Sequence, residues 1–203
     1  TGTSSVANGN NAVALAANAN ATGAKAIAIG SDSKVSSDSG LAIGNAANAS
    51  AIGAIAVGVN AAATESYGVA LGGKASGVYS FAAVNGSSAT DSYSIAIGYN
   101  ATSAGGNAQG LNAKAGSNSI SLGRDSKADT SDAVAIGSNS NASAINSLAL
   151  GNGASASNGS AIALGPRAKA NSVAGIALGM DANVSTDNSV ALGAGSTAGD
   201  RNA

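Results

Sequence analysis

Asp129 and Asp132 are the closest this sequence comes to a catalytic pair. General acid–base chemistry needs titratable groups held in a cleft at different pKa values, with a partner for the charge that develops. Here the ten acidic residues are scattered, and there is no His and no Cys. The aspartate pair therefore reads as a solvated turn. A chain without Cys has no disulfide framework and no thiolate zinc site. None of the 29 glycines opens a Gly-Lys-Ser/Thr phosphate loop. The Gly-Gly-x-Gly-x-Asp repeat of calcium-binding solenoids does not occur. Nine Thr residues fall at scattered offsets and make no threonine ladder for ice binding. A net charge of −1 supplies no field to hold nucleic acid or an acidic membrane surface. The reading is a protein that is not an enzyme and uses no cofactor or metal.

What is left is a framework of unusual material. Four Tyr and one Phe are the only aromatic residues, 9% of the chain is charged, and most of the 44% hydrophobic fraction is alanine. Side chains this small cannot fill a broad globular core, but they can fill a thin one, coil by coil. No apolar run is long enough to span a bilayer.

The framework repeats one phrase: a branched aliphatic, a small residue, a second branched aliphatic, glycine. Ile27-Ala28-Ile29-Gly30, Leu41-Ala42-Ile43-Gly44, Ile55-Ala56-Val57-Gly58 and Val69-Ala70-Leu71-Gly72 are spaced by fourteen. The same spacing returns from Val134-Ala135-Ile136-Gly137 to Val190-Ala191-Leu192-Gly193. Taken as a ruler, the glycines fall at 30, 44, 58, 72, 86, 98, 110, 123, 137, 151, 165, 179 and 193, with Ala16 in the same place one step earlier. A constant period of this kind marks a stacked repeat architecture. Fourteen residues are too few for two helices and fit two short strands with two tight turns.

The large–small alternation of the phrase has period two, which predicts a strand, A, with both aliphatics on one face and the central residue on the other. Small residues three and five places past each glycine, such as Ala47 and Ala49, predict the inward face of a second strand, B. The expected fold is all-β: a parallel β-roll of about 14 coils, with the aliphatics of A packed on the small residues of B and coils ~4.8 Å apart. On this facing the central residue points outward, and it is Ala in eleven of the thirteen glycine-ended units. The stripe Ala28, Ala42, Ala56, Ala70, Ala96, Ala135, Ala149, Ala163, Ala177 and Ala191 is then the expected homo-oligomer interface. Asp91 is the single charge expected at an inward place of strand B.

The stretch 81–119 is irregular. Ala83-Val84-Asn85-Gly86 and Asn107-Ala108-Gln109-Gly110 keep the glycine and lose the aliphatics, which predicts shortened coils with a weaker core. All five aromatics lie between Tyr67 and Tyr99, and Tyr67, Phe81 and Tyr93 each stand five residues before a ruler glycine. Stacking would line them up as one column. The column has two readings: a brace for the irregular coils, or an exposed strip that binds a ligand.

The repeat resembles a known family. Asn188-Ser189-Val190-Ala191-Leu192-Gly193, followed at the ninth place by Ser196, is similar to the head-repeat signature of the trimeric autotransporter adhesins, the YadA-like heads. Asn118-Ser119-Ile120-Ser121-Leu122-Gly123 with Ser126 is a second close match. A hexapeptide-repeat acyltransferase, the enzymatic rival, would show a period of six and a His base. The resemblance implies a left-handed β-roll, three copies of which form a homotrimer on the outer membrane of a Gram-negative bacterium. It implies attachment to host cells and to extracellular-matrix proteins of the collagen, fibronectin or laminin type. The competing role is a passive spacer that holds another binding domain away from the cell. One head domain is expected over 1–203, with a neck, stalk and membrane anchor supplied by a longer parent protein beyond Ala203.

Overall fold

The computed structural model describes residues 2–199, and every regular element among them is a strand of two or three residues. The chain divides into two compact units, Thr1–Asn100 and Ala101–Ala203. The division falls within the irregular stretch.

The first unit carries the A strands Val13–Leu15, Ile27–Ile29, Leu41–Ile43, Ile55–Val57, Val69–Leu71, Phe81–Ala83 and Ile95–Ile97. Its two-residue B strands run from Val6–Ala7 to Ser88–Ala89. The second unit carries the A strands Asn107–Gln109, Ile120–Leu122, Val134–Ile136, Leu148–Leu150, Ile162–Leu164, Ile176–Leu178 and Val190–Leu192, with B strands from Thr102–Ser103 to Thr197–Ala198. Within each unit A pairs with A and B with B, always in parallel, as in Ile27↔Leu41 and Asn48↔Ala62. This is the expected all-β solenoid. Each coil is tied to its neighbours by backbone bonds: the Ile27 amide donates to Gly40 O at 3.0 Å and the Gly44 amide to Ile29 O at 2.8 Å.

Two tight turns close each coil. In one, the Ser33 amide donates to Gly30 O at 3.2 Å; in the other, the Ala26 amide donates to Gly23 O at 3.2 Å. The third residue of both turns has positive φ, 58° at Asp32 and 59° at Lys25. Asn, Asp and Gly tolerate that conformation best, which explains Asn60, Asn139 and Asp181 in the first turn and Asn118, Asn146 and Asn188 in the second. The phrase glycine is required for a further reason. Gly137 has φ 129°, and a β-carbon there would stand 2.5 Å from the carbonyl oxygen of Gly151 in the next coil.

The facing of strand A is opposite to the one expected. Ala28, Ala42, Ala56, Ala70, Ala96, Ala135, Ala149, Ala163 and Ala177 are wholly buried and Ala191 nearly so, whereas the flanking aliphatics are partly or largely exposed. These alanines lie inside the coil and cannot be an oligomer interface. The reason is the width of the roll. A coil of fourteen residues with two tight turns brings its sheets so close that only small side chains fit between them. One coil is filled by Ala26, Ala28, Ser33 and Val35, all at 0% exposure. The branched side chains are turned out because there is no room for them.

The irregular coils also need a shifted ruler. Phe81, Ala82 and Ala83 pair with Val69, Ala70 and Leu71, and on the other side with Ile95, Ala96 and Ile97. Val84, with φ 84°, therefore holds the glycine place in this coil, and Gly86 lies two residues past it. The two missing residues come from the turn between Gly72 and Lys74, as Lys74 pairs directly with Ala62. Asp91 is correspondingly displaced and exposed, not inward. The reason for expecting a weak core also changes, because the polar replacements are not core residues. Asn107 and Gln109 point outward, while Ala108 between them is fully buried. Buried serines fill neighbouring places with their hydroxyls paired: Ser119 Oγ donates to Ala128 O at 2.6 Å, and the Ser121 and Ser126 hydroxyls lie 2.7 Å apart.

Candidate functional site

With the alanines inside, the outward face of strand A is an apolar surface two aliphatic columns wide. In the first unit it includes Ile27, Ile29, Leu41, Ile43, Ile55, Val57, Val69 and Leu71. In the second it runs from Ile120 and Leu122 to Val190 and Leu192. Leu71 is 41% exposed and Leu150 37%, both in mid-unit strands with a paired neighbour on either side. Among the described residues, none covers this face. In the first A strand of the second unit Asn107 and Gln109 stand in place of the aliphatics, with Gln109 Nε2 donating to Asn107 Oδ1 at 3.0 Å.

The repeat motif can now be read position by position. Asn118 and Asn188 take the left-handed turn place, with φ 52° and 54°. Ser119 points inward and is buried, and Ser189 holds the equivalent place near the end of the described chain. Ile120, Leu122, Val190 and Leu192 form the outward face, and Ala191 the interior. Gly123 and Gly193 make the turn into strand B. Ser126 and Ser196 close that turn, each donating its hydroxyl to the carbonyl of the phrase glycine at 2.8 Å. Every motif position thus has a structural task in the coil.

The outer face of sheet B is polar. Lys34 and Lys74 in the first unit, and Lys114, Lys127 and Lys169 in the second, hold the exposed place of their two-residue strands. Beside Lys169, an open groove of about 480 Å³ is lined by Gly153, Arg167, Asn171, Asp181 and Asn183. Arg167 grips Asp181 with two bonds of 2.6 Å, and this hydrogen-bonded cation holds the Asp181 carboxyl below the usual carboxylate range. Asp129 and Asp132 are exposed, and Asp132 is a left-handed turn residue with φ 57°.

The aromatic column exists with one change of membership. Tyr67 and Tyr79 stack with centroids 5.0 Å apart, and Tyr79 and Tyr93 follow at 5.6 Å. Phe81 is not in the column; it lies in strand A on the aliphatic face. The fifth place before Gly86 is not equivalent to that of Tyr67 and Tyr93, because Val84 and not Gly86 holds the glycine place in this coil. The large-then-small start Phe81-Ala82, in the manner of the phrase, is the sequence signal that agrees with a strand two residues earlier. Tyr67, Tyr79 and Tyr93 all occupy the left-handed turn place, with φ between 57° and 63°, and are 50%, 52% and 71% exposed.

Comparison with known proteins agrees with this repeat. The sequence pattern described as YadA head domain repeat (2 copies) matches residues 1–19, 21–47, 49–75, 75–101, 115–140, 142–168, 156–182 and 170–196. Among solved structures, the collagen-binding domain of the Yersinia adhesin YadA is similar at 29% identity, covering 70% of this chain and 67% of that one, with a TM-score of 0.49. No curated protein sequence matches the chain. Since the head repeat matches well over half of its length, and its coil geometry gives each motif residue a place, the chain belongs to the YadA head domain repeat family, as a YadA-like head of a trimeric autotransporter adhesin.

Proposed function

We propose that this head attaches a Gram-negative bacterium to host extracellular-matrix proteins of the collagen, fibronectin or laminin type, and that it works as a homotrimer. The observation that carries the reading is the uncovered aliphatic face of strand A. An apolar surface this regular belongs to an interface, and a second copy of the same coil has the matching pitch and residue spacing. The interface therefore consists of Ile27, Ile29, Leu41 and Ile43 and their counterparts along each unit, in place of the alanine stripe. Once that face is closed, the polar outer face of sheet B and the turns remain free to meet a ligand. The parent protein supplies the outer-membrane anchor in this reading. The solved relative is described as collagen-binding, which favours adhesion over the spacer role.

The test has two parts. Light scattering on the purified head should give a mass three times that of the 18.7 kDa chain. The same preparation should bind immobilised collagen, fibronectin or laminin in a saturable way. A trimer that binds none of them would favour the spacer.

A further inference from the structure

A face built from identical coils creates a problem for self-assembly. If one copy slides along another by a single coil, ~4.8 Å, nearly all the same aliphatic contacts form again. A closed ring of copies needs zero offset, because displaced copies build an open, helical chain. Something must distinguish one coil from the next. Asn107 and Gln109 do so: in the second unit they put two amides where the next coil has Ile120 and Leu122. They also lie between the matched head repeats, which end at 101 and resume at 115.

We propose that Asn107 and Gln109 form a polar layer that locks the axial register of the assembled copies. This rests on the reading that the aliphatic face is the homotrimer interface. The hydrogen bond between the two side chains uses one donor of Gln109 and the carbonyl oxygen of Asn107. Among the described residues, the side-chain nitrogen Nδ2 of Asn107 and the side-chain oxygen Oε1 of Gln109 make no bond within the chain. Each copy thus presents unpaired side-chain donors and an unpaired acceptor on the same outward face. In register, the Asn107 amide of one copy meets the Gln109 carbonyl of the next, and the pattern closes around a cyclic assembly. Shifted by one coil, both amides face Ile120 and Leu122 and are buried without partners. A buried polar group left unpaired is costly enough to disfavour that state about tenfold or more. A polar layer in an apolar seam sets register in coiled coils by the same logic.

Disulfide trapping tests this, because the chain has no Cys of its own. Leu148 and Ile162 hold the same outward place in adjacent coils. Chains carrying L148C are mixed with chains carrying I162C, refolded together and oxidised, and the products are counted by mass spectrometry. Bridges between like chains report zero offset, and bridges between unlike chains report a one-coil shift. In the natural background, like-chain bridges should dominate. With N107I and Q109L added, the unlike fraction should rise about tenfold. The single change Q109L, at an exposed position, should raise it in the same direction. An oligomer whose bridge ratio is unmoved by either variant overturns the register lock. A natural chain that is monomeric by light scattering overturns the interface reading beneath it.

Discussion

The rings of Tyr67 and Tyr79 lie 5.0 Å apart and within 6° of parallel, and Tyr93 continues the stack. Gly53 stands in the same column one coil before, where a β-carbon would come 2.8 Å from Tyr67 Cδ1. Replacing the central ring, Tyr79→Ser, removes both stacked pairs and should cost about 1–3 kcal/mol, read as a lower Tm. If the stack is a brace, binding to matrix proteins should survive. Loss of binding at an unchanged Tm would instead make it a contact surface.

Val84 occupies a place that is glycine in most other coils, and its φ of 84° is unfavourable for a β-branched residue. Val84→Gly should relieve that strain and raise stability by about 0.5–1 kcal/mol, after the chain-entropy cost of glycine. The converse change, Gly137→Val, puts a β-carbon 2.5 Å from Gly151 O and should cost about 3 kcal/mol or more. Denaturant midpoints for the two variants should move in opposite directions. A fall for both would mean that Val84 is accommodated without strain.

The inverted facing of strand A predicts different outcomes for adjacent residues. Ala149→Glu with Ala163→Glu places carboxylates at fully buried positions inside the coil and should abolish folding, seen as loss of the β-sheet circular dichroism. Leu148→Glu with Ile162→Glu changes outward positions. If the outward face is the proposed trimer interface, that pair should leave a folded chain at one-third of the natural mass by light scattering. A folded trimer from either pair would contradict the assignment of faces.

Asp181 titrates below the ordinary carboxylate range because Arg167 donates hydrogen bonds to its charged form. A carboxylate whose folded-state pKa is depressed contributes stability above its unfolded value and loses it as pH falls through the folded one. The Arg167–Asp181 bridge should therefore weaken only in acid, below the usual Asp range. Both side chains are about half exposed, so salt screens the pair and its effect on Tm stays small. Arg167→Ala should move the Asp181 midpoint back upward in an NMR carboxyl titration. An unmoved midpoint would mean that the bridge does not persist in solution.

Much of this protein is legible in its one-dimensional pattern. The period of fourteen dictates the coil, and the large–small alternation of Ile27-Ala28-Ile29 dictates a strand. These properties are local, set by backbone sterics and by the spacing of side chains along a strand. Alternation identifies which residues share a face, but it does not say which face is inside. Hydrophobicity alone favoured burying Ile27 and Ile29 over Ala28. That choice was settled by how closely the two sheets approach, a distance fixed only when both turns close and the coils stack. The place of Tyr79 was likewise decided by pairing: strand Phe81–Ala83 takes its register from Val69 and Ile95, whose backbones it must bond, and not from the nearest glycine.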